Sequence, residues 1–100
     1  MTLRDDLNAV ADLLEREGWC QGDYAEYDAN GNLTGRCLST AIRTVQPDLS
    51  PRCEILALLR PLLPSQAGWL VAWNDDPDRT LPEVVALLRK AAGTPPTATA

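Results

Sequence analysis

The chain has 100 residues, 45% of them hydrophobic, and a formal net charge of −5. That is enough for one domain with one core, and no apolar run approaches the ~18 residues a membrane span needs. Lys and Arg do not cluster, which argues against direct nucleic-acid binding, and with no His and no CxxC pair, Cys20, Cys37 and Cys53 read as three buried or half-buried free thiols rather than a zinc site or a disulfide framework.

Residues 2–17 carry Leu3, Leu7, Val10 and Leu14 at spacings of four, three and four, with Leu13 widening the stripe, which predicts an amphipathic helix. Thr2 can cap it, Asp5 and Asp6 suit the positive end of its dipole, and Gly18 is placed to end it. Asn30-Gly31, a dipeptide favoured in two-residue type I′ turns, predicts a short β-hairpin with Tyr24 and Tyr27 before the turn and Leu33 and Thr34 after it. Residues 36–46 read as a second helix on Leu38, Ala41, Ile42 and Val45, stopped by Pro47. Ser50-Pro51 reads as cap and first residue of a third helix, which Pro61 and Pro64 end or kink. Residues 67–73 are short and apolar, and their periodicity fits a strand or a buried helical turn equally. Thr80 and Glu83 form a capping box for a last helix on Leu81, Val84, Val85, Leu88 and Ala92, closed by Gly93. The expected fold class is α+β, mostly α, with about four helices and one hairpin. Residues 1–93 form the compact domain and 94–100 a disordered tail.

Candidate chemistry is sparse. Cys37 lies near a helix start, where a thiolate is favoured, but without His there is no Cys-His couple, and packing is the better reading. Asp75, Asp76, Asp78 and Glu83 lie close in sequence, yet they fail the calcium-loop pattern and are accounted for as turn and cap residues. Trp19, Trp69 and Trp73 suit a Phe-free core, with at least two of the three expected inside. No metal and no cofactor is implied, and the balance leans against an enzyme.

Three strings stand out: Glu17-Gly18-Trp19-Cys20-Gln21-Gly22, then Cys37-Leu38-Ser39-Thr40-Ala41-Ile42, then Trp73-Asn74-Asp75 with Asp78-Arg79-Thr80 and Glu83-Val84. Together, over about residues 3–92, they resemble a family of small proteins of unknown function from actinobacteria and their phages. Glu17 stands where His is common in that family, and Thr40 where Gly is common. The resemblance implies a compact, mostly helical fold and a phage or phage-derived origin, and no activity. Trp19, Gln21, Gly22, Cys37, Trp73, Asn74, Asp75, Thr80 and Glu83 each have a structural reading within it.

Residues 1–30 hold eight acids and two bases, so the acidity is concentrated at the N-terminal end. The leading functional expectation is an interaction module that binds and modulates a host protein. Its candidate surface comprises Asp5, Asp12, Glu15 and Glu26 with Tyr24, Tyr27 and Asn30. The alternative is a thiol- or metal-dependent enzyme or redox protein using Cys37 or the Asp75–Glu83 region; a third reading is an acidic mimic of nucleic acid. The N-terminus lacks an export pattern, so a cytoplasmic location is expected, in the host cell if the chain is phage-encoded. Leu62, Leu63 and Trp69 are candidates for a homo-oligomer surface.

Overall fold

A computed structural model describes residues 2–63 and 69–93, Trp69 by its backbone alone. The order is α1 (Leu3–Glu17), β1 (Ala25–Tyr27), β2 (Leu33–Arg36), α2 (Leu38–Val45), α3 (Leu49–Leu59), a 3-10 turn (Arg60–Leu62), α4 (Trp69–Asn74) and α5 (Leu81–Ala91). The class is α+β and mostly α: among the described residues there are four helices of eight or more residues, a fifth of six, and one antiparallel hairpin.

Helix α1 is central. Its stripe of Leu7, Val10, Ala11, Leu13 and Leu14 is buried, and it packs against α5, α2 and α3. Leu38 and Ile42 of α2, Ile55 and Leu59 of α3, Leu70 and Trp73 of α4 and Val84 and Leu88 of α5 complete the core. Each fully buried Leu or Ile contributes about 1.5–3 kcal/mol relative to exposure, so the stripe read from spacing alone holds most of the molecule together. Thr2 and Asp5 form a reciprocal capping box at the start of α1, and Thr80 and Glu83 form another at the start of α5. Asp6 is buried in the first turn of α1, where Gln46 Nε2 donates to its Oδ2 at 3.2 Å.

Gly18 ends α1 at φ 103°, ψ 154°, a region only glycine enters readily. A β-carbon there would lie 2.0 Å from the Thr34 carbonyl oxygen, so the chain leaving α1 passes directly against β2. It runs parallel to β2 for one bridge: the Arg36 N–H donates to the Gly18 carbonyl, and the Cys20 N–H to the Arg36 carbonyl, both at 3.1 Å.

Three expectations need correction, and one left open is decided. The hairpin forms, but its turn is a three-residue loop. The Gly31 N–H bonds the Asp28 carbonyl at 3.0 Å, the Asp28 N–H bonds the Asn32 carbonyl at 2.9 Å, and Gly31 takes φ 85°. The Asp28 carboxylate also accepts the N–H groups of Asn30 and Asn32, which pulls the turn to the longer form. Helix α3 begins at Leu49 with Asp48 as N-cap, so Ser50 and Pro51 lie in its first turn; Pro tolerates that place because first-turn N–H groups have no partner within the helix. The apolar segment 67–73, left open between strand and helical turn, is helical over residues 69–73, within α4 (Trp69–Asn74), and residues 67 and 68 lie outside the described residues. Cys53 is exposed, whereas Cys20 and Cys37 are buried free thiols. Trp73 is buried and Trp19 is half-buried against the core. Leu62 and Leu63 are half-buried against the core as well. The expected tail 94–100, Pro64 and the Trp69 side chain lie outside the described residues.

Candidate functional site

The three sequence strings meet at one buried side chain, Asn74, at the C-terminal end of α4. Its Oδ1 accepts the Trp19 indole N–H at 2.7 Å and the Leu38 backbone N–H at 3.0 Å. Its Nδ2 donates to the Cys20 carbonyl at 3.1 Å and to Asp75 Oδ1 at 2.9 Å. All four hydrogen-bonding positions of the amide are filled. The Leu38 N–H is one of the donors that the first turn of α2 leaves open, so Asn74 caps α2 from across the molecule. Cys37 caps the same helix locally, its Sγ accepting the Thr40 N–H at 3.5 Å.

A second layer closes over this hub. Gln21 Nε2 donates to the carbonyls of Asn74 at 2.9 Å and Asp76 at 2.6 Å, and the Gly22 N–H donates to Asp75 Oδ1 at 3.0 Å. Arg79 lies over the Trp73 ring, 4.0 Å from its centroid, and its Nε donates to the Trp73 carbonyl at 3.0 Å. The same guanidinium reaches Asp76 at 3.7 Å and Glu83 at 3.5 Å. Thus Trp19, Gln21, Gly22, Cys37, Trp73, Asn74, Asp75, Thr80 and Glu83 form one connected framework. Leu38 and Arg79 both fall within the sequence strings, but residue type alone signals neither the bond from the Leu38 N–H to Asn74 nor the place of the Arg79 guanidinium over Trp73.

This framework offers little chemistry. Burial, followed by the nearby Glu26 carboxylate, pushes the Cys20 thiol up to about 11, so it is protonated at neutral pH. Cys37 is 1% exposed. Asp75 accepts from Gly22 and Asn74, Asp76 Oδ1 accepts the Asp78 N–H at 2.9 Å, and Glu83 holds its own helix cap. Among the described residues, no three His, Cys, Asp or Glu side chains converge as a metal site.

The candidate surface residues lie on two elements, α1 and the hairpin. Asp5 is committed to the start of α1, where the Thr2 backbone N–H and hydroxyl hold its carboxyl below the usual range. Asp12 and Glu15 pair with Arg89 of α5 at 2.7 and 3.3 Å, tying the first long helix to the last. Glu26, Tyr24, Tyr27 and Asn30 lie on the hairpin, all exposed. Tyr24 and Tyr27 are 65% and 64% exposed, unusual for large aromatic side chains.

Beside the hairpin lies an open cleft of about 530 Å³, lined by Tyr24, Ala25 and Tyr27 on one side and Ser39, Thr40 and Arg43 of α2 with Val71 of α4 on the other. A smaller hollow of about 250 Å³ shares Tyr24 and Val71 with it and is lined besides by Gly22, Asp23 and Asp75. The sequence strings include Ser39 and Thr40, but nothing in the sequence sets them, Arg43 and Val71 opposite the hairpin; the Cys37 N–H, which donates to the Tyr24 carbonyl at 3.1 Å, helps hold α2 there.

A model described as "Family of unknown function (DUF6197)" matches residues 1–94. Comparison with curated proteins and with solved structures gives no match.

Proposed function

The chain belongs to DUF6197, a family of unknown function, and from that premise we propose that it is an interaction module that binds and modulates a partner protein. One observation carries the reading: of the five large hydrophobic side chains exposed among the described residues, Tyr24, Tyr27 and Val71 surround one cleft, while the other two, Leu49 and Leu58, are on α3. Exposed aromatics grouped at a concave surface are the usual makings of a binding hot spot. The committed carboxylates and protonated Cys20 give an enzymatic reading no comparable support. The resemblance of the three strings to phage and actinobacterial proteins suggests that the partner is a host protein and the place of action the host cytoplasm.

The test is capture from host lysate with the purified chain as bait, run beside the Tyr24→Ala/Tyr27→Ala double variant. One protein retained saturably by the natural chain and lost with the double variant is the expected result. Equal retention by both, or no retention by either, refutes the reading.

A further inference from the structure

The wall of the cleft formed by β1 is an open strand edge. Arg36 directs its N–H to Gly18 and its carbonyl to Cys20, away from β1. Ala25, its registered partner, is therefore in a non-hydrogen-bonded pair, and its own N–H and C=O face away from β2. Tyr27 is in the same position: the Asp28 N–H bonds Asn32, so the neighbouring Tyr27–Leu33 pair is the non-bonded kind. The sheet has two strands, so these four backbone groups have no strand partner among the described residues.

Among the described residues the cleft is lined by β1 with Tyr24 before it, by Ser39, Thr40 and Arg43 of α2 and by Val71, and by no residue of β2, which argues that it meets β1 on the side away from β2. Its single charged lining residue is Arg43, which has no ion-pair or hydrogen-bond partner among the described residues. No acid lines it.

We propose that this cleft accepts an extended peptide segment of the partner protein, which adds as a strand to the edge of β1 and places one acidic side chain against Arg43. The proposal rests on the interaction-module reading and specifies its contact. Backbone groups of Ala25 and Tyr27 supply sequence-independent hydrogen bonds, Tyr24 and Tyr27 offer aromatic surface to apolar side chains of the peptide, and Arg43 selects for a carboxylate. The net charge of −5 opposes a run of acids, so one acid flanked by neutral residues is the matching pattern. A second copy of the chain fits poorly: twofold pairing that sets Ala25 against Tyr27 brings Glu26 opposite Glu26.

The experiment selects random heptapeptides displayed on phage against the immobilised full chain, then measures the enriched peptides by titration. The expected peptides have Asp or Glu at one fixed position and apolar residues near it. Arg43→Glu weakens them about tenfold, the loss of one charge-assisted contact. Ala25→Pro removes an N–H the hairpin does not use, and abolishes binding while the thermal midpoint stays within a few degrees. Should that variant fail to fold, N-methylation of alternate amides of the peptide tests the same bonds on the natural protein, and is expected to abolish binding for the amides that face β1. Enriched peptides without an acid, equal binding to the Ala25→Pro chain, or no enrichment at all overturns the strand-addition proposal. The lysate capture still decides separately whether the chain is an interaction module.

Discussion

At Asn74 a single amide joins three segments of chain. Asn74→Ala leaves the Trp19 indole, the Leu38 N–H and the Cys20 carbonyl without partners in a buried place. Such groups cost about 1–3 kcal/mol each when relaxation and water do not rescue them, so a total loss of about 3 kcal/mol is expected in urea unfolding. Asn74→Asp keeps the two acceptor contacts but turns oxygen toward the Cys20 carbonyl and Asp75. It should be at least as damaging as Ala, and a neutral result for either variant would deny the hub its role. Gly18→Ala is expected to cost about 3 kcal/mol or more, since it combines an adverse backbone region with a collision at the Thr34 carbonyl. The thiols divide by exposure. One thiol per chain, Cys53, should react quickly with an aromatic disulfide at pH 8, and Cys53→Ser should leave only slow reaction. With its value near 11, Cys20 is ionised in roughly one molecule in a thousand at that pH. A fast thiol surviving in Cys53→Ser would revive thiol chemistry at Cys37.

Among the elements, the hairpin and the ends of α1 set the response to acid. The Asn32 N–H holds the Asp28 carboxyl down, Arg36 holds Glu17 down at 2.7 Å, and the cap of α1 holds Asp5 down. All three groups titrate lower when folded than their ordinary values of 3.8 for Asp and 4.5 for Glu. The stability they add is therefore fully present above those values and is lost as pH falls through the folded ones. Urea midpoints should be level from pH 7 to about 5 and decline below about 4, and Asp28→Asn should show a smaller decline than the natural chain. The long helices were readable from sequence because the stripe of α1 and the Thr80–Glu83 box are local signals. The three-residue turn was not, because the choice over a two-residue turn depends on the Asp28 side chain reaching two N–H groups. Helix α4 was ambiguous for a related reason: six residues are too few for periodicity, and Asn74 ties its end to α2 and the segment after α1. Tyr24 and Tyr27 were legible as surface candidates, while the opposite wall of their cleft exists only in three dimensions.

Across the whole molecule, α1 and α5 are clamped by Arg89, which reaches the Asn8 side chain at 2.9 Å as well as Asp12 and Glu15. The pairing is partly exposed, so Arg89→Ala should cost only about 1 kcal/mol, screened further by salt. A much larger loss in a thermal melt would mean that the guanidinium supports the core beneath it. The Asn74 framework acts over a similar span. Trp19 and Asn74 are 55 positions apart, and Leu38 and Asn74 are 36 apart. Helices form locally and early, whereas a side chain that must meet two distant segments at once finds them only after the chain has closed. Asn74 should therefore contribute little at the barrier to folding: its removal ought to speed unfolding while leaving the refolding rate nearly unchanged. Seen in time rather than in space, the amide is a latch, setting how long the molecule stays closed rather than how fast it closes.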